Sequence, residues 1–394
     1  GTSAVVDYEV VSAPVIMNDT LYFSADDGVR GFELWKTDGT EAGTVLVKDI
    51  NPSGSSAPAN LAALNGALFF GANDGVNGDE LWKSDGTEAG TVLLKDIRAG
   101  SATSFPRAMT AVGETMFFRA NDGVHGIELW KSDGTEAGTV LVKDINSGTA
   151  SANLDDLVAF NGLLIFSARD AVNGSEPWRS DGTEAGTFML ANTLAGAGSS
   201  IEGFTPLTGL AFFSGADGNL WKTDGTTNGT AIVKEIYPGG TPYASWLMAL
   251  GGYIYFTADD RTHGYELWRS DGTEAGTTLV SDLWPGPDGN TLPIGSVGGT
   301  LFFAGQASTG GYELYLLEGG GLFDTSSASY SGGQFQFSIE GVNGQLLQID
   351  ASDDLVNWTT IHTGTVTSGK LDVTDNDAGS HPNRSYRASV VVPR

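Results

Sequence analysis

A twelve-residue segment, Glu33-Leu34-Trp35-Lys36-Thr37-Asp38-Gly39-Thr40-Glu41-Ala42-Gly43-Thr44, recurs along the chain with its tryptophan at Trp82, Trp130, Trp178, Trp221 and Trp268. A seventh copy shortens to Glu313-Leu314-Tyr315. Successive tryptophans lie 43 to 48 residues apart. That interval is the length of one four-stranded unit, too short for a domain of its own and long enough for a sheet that must stack on its neighbours to bury its faces. Repetition on this scale constrains the fold before any single residue is interpreted.

Each copy reads as four short strands. In the second, Ala59 to Leu64 and Ala67 to Gly71 flank Asn65-Gly66, the strongest short hairpin signal, because a type I′ turn needs positive φ at both central residues. The same slot holds Asn18-Asp19, Gly113-Glu114, Asn161-Gly162, Thr208-Gly209, Gly251-Gly252 and Gly298-Gly299. A third strand then carries Leu81 and Trp82, and a fourth runs from Thr91 to Ile97. The last copy has no fourth strand, while Val5 to Val10 aligns with Val45 to Ile50. The chain is therefore expected to be all-β: a seven-bladed β-propeller over residues 1–318, its ring closed by the N-terminal strand, which would remove free sheet edges. A Gly/Ser-rich linker is expected over 319–333. Period-two alternation at Phe335, Phe337 and Ile339, at Leu347, Ile349 and Ala351, and at Tyr386, Ala388 and Val390 predicts a small β-sandwich over 334–394.

On these residues, roughly 4 to 318, the chain resembles the ELWxxDGT-repeat β-propellers of secreted bacterial proteins. Asp354 to Thr359 and Arg384 to Arg387 resemble the fibronectin-III-like modules at the C-termini of many exported bacterial proteins. The resemblance implies a bacterial protein placed outside the cell or on its surface, and it implies a fold rather than an activity.

A formal charge of -28 repels nucleic acid and anionic membrane surfaces and favours cationic partners. No cysteine is present, which excludes disulfides, thiolate metal sites and cysteine nucleophiles. No apolar run approaches the roughly 20 residues of a membrane helix, so membrane insertion is not expected. Gly1 to Ala4 lack the basic and apolar stretches of a signal peptide, so an exported protein would carry this sequence as its mature form.

The recurrent tryptophans read as packing between sheets, and the Asp-Gly-Thr segments as side-chain-capped turns. The loops between second and third strands pair Asp27, Asp74, Asp122 and Asp170 with Glu33, Glu80, Glu128 and Glu176 six residues on. Hard oxygen ligands on a glycine-containing loop suit calcium, as do Asp375 and Asp377 farther along. No cofactor is required by any of these patterns, and calcium is the one they would admit.

Three departures from the repeat mark candidate binding residues. Arg119 and Arg169 replace small or polar residues, with Arg98 and Arg107 close in sequence, a set suited to the carboxylates or sulfates of an acidic polysaccharide. Tyr237, Tyr243, Trp246 and Trp284 lie in or beside glycine- and proline-rich connections, where exposed rings can stack on sugars or anchor a partner. His125 and His263 replace Arg30, Asn77 and Asn173 at one loop position. An enzyme on this frame would be a polysaccharide lyase or hydrolase using Arg119, Arg169 and His125. The chain has no G-x-S-x-G elbow and no H-E-x-x-H. The reading that follows is a non-catalytic extracellular structural or interaction protein whose partners are glycan or further copies of itself, assembling into oligomers or filaments. The alternative is an acidic-polysaccharide-binding protein or polysaccharide-degrading enzyme that uses the propeller face.

Overall fold

The structure, a computed structural model, describes residues 9–10, 13–196, 201–281, 290–297, 300–306, 312–317, 323–340, 346–352, 359–368, 370–381 and 385–390. They are all-β apart from one 3-10 turn at Ala378–Ser380. The chain divides into two units, Gly1–Ile232 and Val233–Arg394.

Every full repeat forms one antiparallel sheet with its strands in chain order. The second is Ala59–Leu64, Ala67–Asn73, Asp79–Ser84 and Val92–Lys95. The third, fourth and fifth repeat this order within the first unit, as the sixth does in the second unit. The hairpin turns take the backbone that their residues predict: φ is +51° and +74° at Asn65 and Gly66, and +49° and +77° at Asn161 and Gly162. The Gly298-Gly299 turn lies outside the described residues.

Both faces of these sheets are buried. Leu68, Phe70 and Trp82 of the second sheet pack with Met17, Leu34 and Val47 of the first. Phe69, Leu81 and Leu94 pack with Met116, Phe118 and Trp130 of the third. The same pattern joins third to fourth, fourth to fifth and, in the second unit, sixth to seventh. This explains why the second strands read as continuous apolar runs rather than alternating ones: a sheet covered on both sides has no polar face. Removing the side chain of one such tryptophan would cost about 3 to 5 kcal/mol.

Glu9–Val10, the described end of the expected closing strand, pairs with Asp26 and Ala25 of the first sheet, which has five strands. Val5 to Tyr8 lie outside the described residues. The seventh repeat contributes Thr291–Val297, Thr300–Gln306 and Tyr312–Leu317.

The linker expected over 319–333 is corrected by the structure. Phe323–Ser331 is a strand, paired with Gln334–Glu340 through a turn at Gly332 and Gly333, whose φ values are +61° and +84°. Serine-rich composition suggests flexibility, but a two-glycine turn of this kind fixes the strand pairing. These strands and Lys370–Asp375 form one sheet; Thr359–Thr365, Leu346–Ser352 and Ser385–Val390 form another. Phe337, Ile339, Leu347, Ile349, Val366, Leu371 and Val373 make a shared core between them.

Candidate functional site

The motif's polar residues hold the repeat and its neighbours in place. In the second copy, Asp85 Oδ1 accepts from Thr87 N at 2.8 Å and Thr87 Oγ1 at 2.7 Å, and Thr87 Oγ1 accepts from Gly90 N at 3.0 Å. The threonine hydrogen bonds hold the Asp38, Asp85, Asp133, Asp181 and Asp224 carboxyls below their usual range. Lysines then cross to the following repeat. Lys36 Nζ donates to Gly86 O at 2.8 Å, Lys83 Nζ to Gly134 O at 2.7 Å, and Arg179 Nη1 to Gly225 O at 3.0 Å. A second set runs from Lys48 to Thr91 O, Lys143 to Thr187 O and Lys234 to Thr277 O, at 2.8, 2.8 and 2.9 Å.

The carboxylates expected to bind calcium are separated by the structure into two different networks. Glu33, Glu80, Glu128 and Glu176 are fully buried. Glu80 Oε2 accepts from Ile97 N at 2.7 Å and Ser104 Oγ at 2.7 Å, and its Oε1 from Ser104 N at 3.0 Å. Glu33 makes the same bonds to Ile50 and Ser56. Glu128 accepts from Ile145 N and Glu176 from Thr193, both at 2.8 Å. These glutamates satisfy the backbone donors of the connection that leads to the next sheet. Burial pushes Glu80 and Glu128 up to about 7, against the pull of their hydrogen bonds, and raises Glu33 as well.

The loop aspartates close on their own loops. Asp74 Oδ1 accepts from Val76 N and Asn77 N at 2.8 Å, and Oδ2 from Asn77 Nδ2 at 2.7 Å. Asp27 does the same with Val29 and Arg30, Asp122 with Val124 and His125, and Asp170 with Val172 and Asn173. Burial would raise these carboxyls, yet the combined hydrogen bonds hold them low. His125 and His263 are each bonded through Nδ1 to the aspartate of their own loop, at 2.7 and 2.8 Å, and the Asp122 bond raises His125. Asp375 accepts from Asp377 N at 3.0 Å, and Asp377 precedes the 3-10 turn. Among the described residues no group of three or more His, Cys, Asp or Glu is placed to hold a metal ion.

Arg107 and Arg119 face each other in register across the first two strands of the third sheet. Their head groups have separate partners: Arg107 Nη2 bonds Asp79 Oδ2 at 3.2 Å, and Arg119 Nη1 donates to Leu154 O at 2.5 Å. Burial raises the Asp79 carboxyl, opposed by Arg107. Arg98 reaches Thr103 O at 3.4 Å, and Arg169 is exposed.

Two of the aromatic candidates, Tyr237 and Tyr243, reach one loop. Tyr237, Tyr243 and Trp246 lead into the sixth sheet, whose loop Asp259–Tyr265 is tied to them by Asp259 N donating to Pro242 O at 2.8 Å. The Tyr243 and Tyr265 ring centroids are 6.3 Å apart, and the Arg261 guanidinium lies 5.6 Å from the Tyr237 ring centre and 3.8 Å from Asp259 Oδ2. Burial raises the Tyr265 hydroxyl, helped by Asp259. Trp246 is 63% exposed and Tyr243 54%. Trp284 lies outside the described residues. Sequence reasoning passed over Arg261 and Tyr265. Aligning the loops would have found Arg261, because it stands where Gly28, Gly75 and Gly123 stand in other repeats.

No family model matches the chain, and no curated protein does. Among solved structures, the computationally designed Ika8 protein is 15% identical with a TM-score of 0.42, over 77% of this chain and 83% of that one. Puromycin hydrolase is 14% identical with a TM-score of 0.38, over 85% and 59%. Oligopeptidase B from Leishmania major is 10% identical with a TM-score of 0.41, over 86% and 54%. The chain spans little more than half the length of these two hydrolases.

Proposed function

We propose that the repeats close into a seven-bladed β-propeller of the ELWxxDGT type and that the protein is a non-catalytic extracellular scaffold on or outside a bacterial cell. In this reading a fibronectin-III-like sandwich follows the propeller, and the scaffold presents its loops to matrix, to glycan or to further copies of the chain. The observation that carries it is the set of lysine-to-carbonyl bonds that join the first repeat to the second, the second to the third and the third to the fourth, typified by Lys36 to Gly86, Lys83 to Gly134 and Lys143 to Thr187. A charged donor seated on a turn carbonyl fixes the spacing of two sheets, and the recurrent glutamates fix the connection between them. Side chains used this way favour rigidity over chemistry.

Self-association follows from two unlike modules on one chain, since head-to-tail contacts extend into filaments unless a rotation closes them. Its opposing term is the repulsion of -28 charges, which calcium or salt screens. Light scattering of the full chain at high protein concentration, with roughly 2 mM calcium and then with chelator, tests it. Mass growing with concentration in calcium supports assembly; a strict monomer under both conditions ends it.

A further inference from the structure

We propose that Tyr243, Trp246 and Arg261 form a binding site for a neutral polysaccharide, a chain of uncharged pyranose rings. This deepens the reading of the protein as an extracellular interaction scaffold and rests on it.

The first strands of the second to sixth sheets share a one-residue bulge. Its residue has positive φ in every case: Asn60 +55°, Ala108 +54°, Asp156 +49°, Gly203 +65° and Trp246 +57°. Asparagine, aspartate and glycine accept this conformation readily, whereas a bulky aromatic is an outlier there. Trp246 recovers little by burial, since 63% of it is exposed. Tyr243 also has positive φ, +51°, in the place of Ala57, Phe105 and Asn153, and Arg261 has +67°, in the place of Gly75 and Gly123. Tyr243 and Arg261, two residues that local folding disfavours, are brought together by the Asp259 to Pro242 bond, the Tyr243–Tyr265 ring contact and the Arg261–Tyr237 contact, and Trp246, the third, follows Tyr243 by three residues. Strain of this kind concentrates where side chains serve a ligand.

The chemistry of the patch selects the ligand. Tryptophan and tyrosine offer flat apolar faces with polar edges. A pyranose is complementary: its C–H face lies on a ring while hydroxyls point outward to donors and acceptors. Arg261 supplies donors, and the tyrosine hydroxyls supply acceptors. Asp259 and Asp260 immediately precede Arg261, and the chain carries -28 overall, so a polyanion is repelled where a neutral glycan is not.

Affinity electrophoresis of the full chain through gels containing hydroxyethylcellulose, xyloglucan, glucomannan or laminarin, with alginate as the acidic control, tests the proposal. At least one neutral polysaccharide is expected to retard the protein, and alginate is not. Trp246→Asn, which installs the side chain found at Asn60, is expected to weaken retardation at least tenfold without lowering the melting temperature. Tyr243→Ala gives an independent second variant with the same expected loss. The proposal is overturned if no neutral polysaccharide retards the protein, if only alginate does, if Trp246→Asn is retarded like the parent, or if that variant melts several degrees lower. A monomeric protein still retarded by a neutral glycan ends the assembly reading and leaves this site standing; an assembling protein that ignores them all ends only the site.

Discussion

Lys36 Nζ donates to the carbonyl oxygen of Gly86 at 2.8 Å, across fifty residues and from one sheet to the next. The residue after Trp35, and likewise after Trp82 and Trp178, thus belongs mechanically to the following repeat. Lys83→Met keeps the aliphatic stem and removes the donor to Gly134. A half-buried charge-assisted bond of this kind contributes about 1 to 3 kcal/mol. For a unit of this size the melting temperature should fall by about 2 to 4 °C per kcal/mol. An unchanged thermal unfolding curve would remove the lysine bonds from the account of rigidity.

Two glycines at the same motif position separate backbone strain from crowding. Gly39 has φ +92° with nothing within 4 Å of a β-carbon placed on it, whereas at Gly86, φ +87°, that carbon would lie 2.2 Å from Tyr22 Oη. Gly39→Ala should cost about 1 kcal/mol, the left-handed conformation alone. Gly86→Ala should cost clearly more, because the Tyr22 ring must also move. Equal losses in chemical denaturation would contradict the packing described between first and second sheets.

The buried glutamates set a pH dependence of unusual sign. Glu80 and Glu128 titrate near 7 in the folded chain, above the ordinary carboxylate value of 4.5, so the folded state holds protons that the unfolded state releases. Their contribution is fully present below pH 4.5 and is lost as pH rises through 7, by about 3 kcal/mol for each group. The capped aspartates act oppositely: their contribution is present above 3.8 and is lost as pH falls further. Denaturant unfolding should therefore show greater stability near pH 5 than at pH 8. Glu80→Gln should shrink that difference by about 3 kcal/mol. A variant with the parent's pH dependence would show that Glu80 does not titrate there.

Much of this architecture is legible in the sequence. Asn-Gly and Asp-Gly pairs dictate local backbone, and a tryptophan repeated at one strand position can satisfy every copy only by packing between sheets. What misled was composition read without pairing. Ser-rich residues before Gly332 resemble a linker until the two-glycine turn pairs them with Gln334–Glu340. The acidic loops resemble calcium ligands because sequence cannot show that Asp74 faces its own backbone while Glu80 turns inward to Ile97 and Ser104. Tyr237, Tyr243 and Trp246 stood out as breaks in repetition, yet Arg261, which lies against Tyr237, emerges only when the glycine slot of each loop is compared.

The closed seven-bladed scaffold is the central claim, and class averages of the full chain by electron microscopy test it most directly. The account predicts face-on views with seven spokes in an unbroken ring. An open arc, or a ring with another number of spokes, would contradict it.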